Sequence, residues 1–206
     1  VPINGMENGK VYWSNWSGLS DVSQFIQVQR GLGASALGIS SVGGTMNMVT
    51  KSTEAQKGGS AYFGIGNDGF RKYSVSFSTG LMDNGWAITF MGSLNTGDGY
   101  VKGTNYEGWT YFGNISKVIN DHHKLSLTAF GAPQWHNQRS TMHYIEDYKN
   151  SPDGGRFNNG YGYINGEAVG SGYGYNYYHK PQVSLNHYWT IDDKSTLTTS
   201  LYGSMA

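Results

Sequence analysis

The sequence predicts a partial transmembrane antiparallel β-barrel, all-β dominated, preceded by part of a smaller mixed α/β piece. Three observations carry this. Glycine supplies 31 of 206 residues and charged residues only 14%, while aromatics reach 15%; average chains hold about 7% glycine and about 25% charged residues. From residue 58 onward, apolar and small polar side chains alternate with period two, the pattern of a strand with two unlike faces. Short and long connections then alternate along the chain, as they do in outer-membrane barrels with short turns on one side and long loops on the other.

Residues 1–57 are punctuated by glycine, mixed in polarity, and lack alternation of membrane-spanning length. They form a separate unit, and residues 58–206 form the barrel strands. Residues 60–66 open the barrel as a weaker strand with aromatics on both faces. Tyr73, Val75, Phe77 and Leu81 then share one face, with Ser74, Ser76, Ser78 and Gly80 on the other. Trp86, Ile88, Phe90 and Leu94 repeat the pattern in the next strand. Residues 109–119 read as another weak strand, again apolar on both sides. Leu125, Leu127 and Ala129 alternate with Ser126, Thr128 and Phe130. Val183, Leu185, His187, Trp189 and Ile191 alternate with Gln182, Ser184, Asn186, Tyr188 and Thr190, and Leu197 to Tyr202 closes the series.

Met82–Gly85, Asn120–His123 and Asp192–Ser195 are tight polar turns suited to hairpins. Residues 67–72, about 96–108 and about 136–179 are the longer links. Strands of about ten residues suffice to cross a bilayer when tilted. Trp86, Trp109 and Trp189 fall near strand ends, where an aromatic girdle would place them; the alternative is that they are core aromatics of a soluble β-protein. About seven strands cannot close a single-chain barrel, which needs at least about eight, so the chain is expected to be a piece of something larger.

The stretch Phe25–Lys51 raises a competing possibility. Gly31-Leu32-Gly33-Ala34-Ser35-Ala36 fits a relaxed dinucleotide fingerprint, with Glu54 downstream. That reading needs a helix opening at the second glycine within a βαβ unit. The following residues, Leu37 to Thr45, hold three glycines and several β-branched residues, a poor helix, and Thr45–Lys51 reads as a strand. Gly64-Ile65-Gly66-Asn67-Asp68-Gly69 fails likewise, because it spans a strand end and a hairpin loop.

Val28-Gln29-Arg30-Gly31, then Ala34-Ser35, then Val42-Gly43-Gly44-Thr45-Met46-Asn47-Met48-Val49-Thr50-Lys51 resembles the end of the plug domain of TonB-dependent outer-membrane receptors. Leu32 stands where that family usually has proline, Leu37-Gly38 where Tyr-Gly is common, and Met46 and Met48 replace isoleucines. The resemblance implies that residues 1–57 are the C-terminal part of a plug and 58–206 the first strands of a barrel of about 22 strands. It marks Arg30, Gly31, Gly43, Gly44, Asn47 and Lys51 as structural plug residues, with Arg30 expected to pair with a carboxylate of the barrel wall or plug. It implies import of a bulky ligand (siderophore, glycan, peptide or cofactor) across the bacterial outer membrane. The implied partners are outer-membrane lipids, the inner-membrane TonB energy-transducing complex, the transported ligand and a surface lipoprotein.

No catalytic constellation is visible, so the chain is expected not to be an enzyme and to need no cofactor or metal. With no cysteine there is neither a disulfide framework nor a thiolate site. The balance of 14 basic and 14 acidic residues gives no field for nucleic acid. His122-His123 reads as a solvated turn rather than a metal site, and the N-x-S patterns at Asn15 and Asn114 fall in plug and strand. The long link supplies the candidate surface for a ligand or protein partner: Trp135, Tyr144, Tyr148, Tyr161, Tyr163, Tyr173, Tyr175 and Tyr177, with small polar neighbours. Tyrosine in such company is a rigid, adaptable recognition surface, though the same residues could pack and order the loop. A passive or adhesive barrel without energy coupling, and a soluble carbohydrate-binding all-β module, are the alternatives.

Overall fold

The computed structural model describes residues 3, 10–16, 18–31, 43–50, 56–139, 141–169 and 174–205. A 3-10 turn (Trp13–Trp16) and a four-residue helix α1 (Leu19–Val22) lead into strand β1 (Ser23–Arg30). β1 pairs antiparallel with β2 (Gly44–Thr50), with Gln27 opposite Asn47 and Arg30 opposite Gly44. A strand paired antiparallel with its successor is not half of a parallel βαβ unit, so this pair lacks the scaffold of a dinucleotide site.

The remaining strands build one large antiparallel sheet. β3 (Gly58–Ile65), β4 (Arg71–Leu81), β5 (Trp86–Gly97), β6 (Tyr106–Val118) and β7 (His123–Gly131) follow in order. After β7 come a short strand β8 (Gln134–Asn137), a helix α2 (Ile145–Asn150), a 3-10 turn (Gly154–Arg156), a small hairpin of β9 (Gly162–Ile164) and β10 (Glu167–Val169), and β11 (Tyr175–Tyr178). β12 (Gln182–Asp192) and β13 (Ser195–Ser204) complete the sheet, whose main path runs β13-β12-β7-β6-β5-β4-β3. The path holds seven strands and is open at both edges, a partial barrel.

The two faces differ as the alternation predicts. One carries exposed apolar side chains: Val75 and Phe77 (54% each), Phe90, Ile115, Leu127 and Leu185. The other buries Ser78, Thr89, Ser93, Asn114, Ser116 and Ser126. Across its middle the Asn114 amide donates to Ser126 Oγ (2.9 Å) and Thr128 Oγ1 (2.8 Å), and Ser116 donates to Asn114 Oδ1 (2.8 Å). Sealed in this network, Asn114 is 2% exposed and is no glycan acceptor.

Two expectations need correction. β6 is not weak: it spans 13 residues, the longest strand of the sheet, and Phe112 on its covered face is 1% exposed. The reason is that α1 packs there, so an apolar residue belongs on a face otherwise polar. Nor is 136–179 one link. β8 continues β7 beyond Ala132-Pro133, pairing with β6 through Tyr106↔His136 and Gly108↔Gln134. β11 pairs with β8 and runs back toward β12, so a β8–β11 ribbon carries the sheet on beside the end of β6. Similarly β4 begins at Arg71, shortening the link expected at 67–72, and β5 and β6 leave 98–105 between them.

Candidate functional site

The site is built where the N-terminal segment meets the covered face. Trp16 (4% exposed) stacks on Phe130 at 6.0 Å with planes 13° apart, and Tyr178 meets it edge-on at 6.0 Å. Leu19 and Val22 join Met91, Phe112 and Ala132 in the same cluster. Burying one such large side chain contributes about 1.5–3 kcal/mol. Gly18 lets the segment approach this closely: a Cβ there would stand 2.6 Å from Thr110 Cβ.

Polar contacts fix the segment's position around that apolar seat. The Asp21 carboxylate accepts Lys72 Nζ at 2.5 Å on one oxygen and Ser93 Oγ at 2.9 Å on the other. Gln134 spends both amide hydrogens, on Asn15 Oδ1 (3.2 Å) and Asn176 Oδ1 (2.9 Å). His136 donates its Nδ1–H to Gln134 Oε1 at 2.7 Å, since an amide oxygen only accepts, and this sets the imidazole tautomer. Beside β1 an open groove of about 450 Å³ is lined by Gln24, Ser60, Ser76 and Thr89 together with Phe77 and Met91, a mixed lining.

Beyond the end of the sheet that bears the long links, three of them are fastened together. Arg156 pairs with Asp68 (2.6 Å), lies over the Tyr100 ring at 4.9 Å and donates to Tyr100 O. Lys102 pairs with Asp153, its backbone N–H donates to Arg156 O, and Asn158 donates to Lys102 O. The hydrogen bond to Asp153 holds the Lys102 ammonium above its ordinary 10.5. A second knot joins His143, Tyr148 and Phe157 at 5.1–6.4 Å between rings, with the Arg139 guanidinium over Tyr148 and bonded to Phe157 O.

The residues expected from the sequence are thereby separated. Tyr148 is spent in the second knot. Tyr144 caps α2 and is 85% exposed. Tyr161 and Tyr163 meet edge to face at 5.8 Å, and the hydrogen bond to Tyr163 raises the Tyr161 hydroxyl above its ordinary 10.0. Trp135, Tyr175 and Tyr177 project from the ribbon on the side that continues the exposed apolar face, opposite to Gln134 and Asn176 on the covered side. Tyr173 and Lys51 lie outside the described residues. Arg30 is exposed and forms no ion pair among the described residues; Asp21–Lys72 is an ion pair that joins segment and wall. Gly31 takes φ 79° and donates its N–H to Gly43 O. Gly44, at φ 138°, faces Gln29 O so closely that a Cβ would stand 2.5 Å from it, which no side chain tolerates. Asn47 donates to Gln27 Oε1 across the β1–β2 pair.

His122-His123 is not a solvated turn throughout. His123 Nδ1 lies 3.1 Å from His187 Nε2, and its ring stacks on His187 and Trp189. Among the described residues no group of three or more His, Cys, Asp or Glu could hold a metal ion. Asp21, Lys72, Ser93 and Gln134 were not singled out from the sequence, and Asn15 was noted only for its N-x-S pattern. One signal was present: Lys72 is a lone cation on the serine stripe of β4, a place with no need of charge unless something faces it.

No protein-family model matches the chain, and no curated protein matches it. Among solved structures, it is similar to the ferripyoverdine receptor of the outer membrane of Pseudomonas aeruginosa, solved with ferripyoverdine bound. The TM-score is 0.69 at 13% identity, over 89% of this chain. The chain spans only 24% of that receptor. The fold is therefore that of part of an outer-membrane receptor barrel.

Proposed function

We propose that residues 1–57 are the C-terminal part of a plug and 58–206 the first strands of the barrel of a receptor in the bacterial outer membrane. In this reading the receptor imports a bulky ligand with energy from the TonB complex and performs no catalysis. One observation carries the reading: a polar-faced strand wall with an apolar outside holds a non-barrel segment, residues 13–16 and 18–22, against its inner face by Trp16 and by Asp21–Lys72. A passive pore has no need of such a seat. The apolar face carrying Val75, Phe77, Phe90 and Leu127 would meet lipid, and the fastened loops would meet the ligand. The structural similarity to a ferripyoverdine receptor supports a receptor at this coarse level; the ligand class stays within siderophores, glycans, peptides or cofactors.

The test uses the full-length protein expressed in a cell lacking its own copy. Uptake of ferric siderophores, oligosaccharides, peptides and cobalamin is measured before and after a protonophore collapses the inner-membrane gradient. Uptake that stops with the gradient is expected. Uptake that persists would make the chain a passive barrel. Recovery of the protein in the aqueous phase without detergent would make it a soluble module.

A further inference from the structure

Trp135, Tyr175 and Tyr177 stand on the wrong face for a ligand held inside the barrel, and the structure says what they meet instead. Trp135 is opposite Tyr177 in the β8–β11 ladder, and its ring stacks with Tyr175 at 6.2 Å and 22°. Tyr175 and Tyr177 are 57% and 64% exposed. We propose that these three side chains form a ledge on which the sugar headgroup of a glycolipid in the surrounding leaflet stacks. The proposal rests on the outer-membrane reading above.

Height along the wall decides the class of ligand. Pro133 O accepts Trp109 N–H, so Trp109 marks the level at which the apolar face ends and the ribbon begins. Trp135 and Tyr177 lie two residues further, about 7 Å, and Tyr175 about 13 Å, at roughly 3.3 Å per residue. Headgroups add only about 5–7 Å to each side of a hydrocarbon core. A phospholipid headgroup would reach the foot of the ledge, whereas a headgroup of several sugar rings would cover its whole height.

Chemistry agrees with height. Aromatic faces stack on the C–H faces of sugar rings, and their polar edges and neighbours bond the hydroxyls. The ledge has such neighbours: Glu107 lies opposite Trp135, its carboxylate accepting Trp109 Nε1–H, and Asn137 lies opposite Tyr175. The ledge carries no aliphatic side chain, as a dry protein contact or an acyl chain would favour. No cation lies among its three residues. Arg139, two residues beyond Asn137, holds its guanidinium over Tyr148 and on Phe157 O, and along the register row Arg71–Thr96–Glu107–Trp135 the guanidinium bearer is three strands away, about 14 Å at the usual strand spacing. The ledge therefore suits hydroxylated rings rather than phosphate.

The experiment places detergent-stripped full-length protein in phosphatidylethanolamine–phosphatidylglycerol nanodiscs. These are titrated with rough lipopolysaccharide, followed by tryptophan emission and by mass spectrometry of the retained lipid. The triple variant Trp135→Ala, Tyr175→Ser, Tyr177→Ser should bind about tenfold or more weakly, the equivalent of about 1.4 kcal/mol, with unchanged heat-modifiable migration. Equal binding by wild type and variant would overturn the proposal. So would disulfide cross-linking of Tyr177→Cys to a second copy at high yield, which would make the ledge a contact between copies. Failure of the membrane reading itself is seen earlier, when the protein needs no detergent for extraction.

Discussion

Replacing Lys72 by Met tests whether the N-terminal segment is held by charge as well as by packing. Met keeps the length and the apolar stem, so what is lost is the ammonium facing Asp21 at 2.5 Å. The carboxylate would retain Ser93 alone, at 2.9 Å. A hydrogen bond to a charged group contributes about 1.5–3 kcal/mol. The Lys72 and Asp21 side chains are 23% and 13% exposed, so some charge is regained from water and the lower part of that range applies, about 1.5–2 kcal/mol. The seated-to-released ratio should fall by a factor of about 10–30. Trp16 reports the release, because leaving Phe130 for water shifts its emission to the red; a Trp16→Phe background subtracts the other tryptophans. A double-mutant cycle with Asp21→Asn should give a coupling of at least about 1 kcal/mol. Coupling near zero, or an unaltered Trp16 signal in Lys72→Met, would show that packing alone holds the segment.

Gly18→Ala should unseat the same segment by overpacking against Thr110, at a cost of about 1–3 kcal/mol, with Thr110→Gly restoring the Trp16 signal. Phe77→Arg places a charge on the exposed apolar face well inside β4; in lipid it should destabilise the barrel by about 2–4 kcal/mol in urea titration, whereas in water it should be nearly neutral. Asn114→Ala strips the centre of the polar network and should cost about 1–3 kcal/mol, read by the same titration. The folded-state pKa of Lys102 is raised above 10.5, so its contribution to the loop clasp is full below that value and lost as pH rises through the higher folded one. Limited proteolysis of the loop carrying Asp153 and Arg156 should therefore be constant from about pH 7 to 9 and quicken only once the pH has passed 10.5.

The strands β4, β5, β7 and β12 were legible because most of their side chains alternate between an exposed apolar face and a covered polar one. Where a third surrounding intervenes, alternation misleads. Phe112 and Phe130 are aromatic on the covered face because Trp16 and α1 lie on them, and in β6 period-two logic counts that as a weak strand. The ribbon was hidden by Pro133 and Pro181, which punctuate the chain at the joins β7–β8 and β11–β12. Proline removes a donor but leaves an acceptor. Trp109 N–H bonds Pro133 O, and Met205 N–H bonds Pro181 O, so the ladder passes through both prolines and two aromatic strands read as loop.

The ion pair that does form was not foreseen. Arg30 drew attention because its motif is familiar; on β1 it is exposed and has no ion-pair partner among the described residues. Lys72 and Asp21 lie 51 residues apart, and neither belongs to a motif. What distinguishes them is cost. A cation on a covered serine stripe, and a carboxylate between Leu19 and Val22 on a helix whose apolar side is buried, would each be expensive alone. Each is explained only by the other. In a strand wall of this kind, an isolated charge on the polar face therefore points to the place where a second body sits. Here that body is the segment carrying Trp16 and α1.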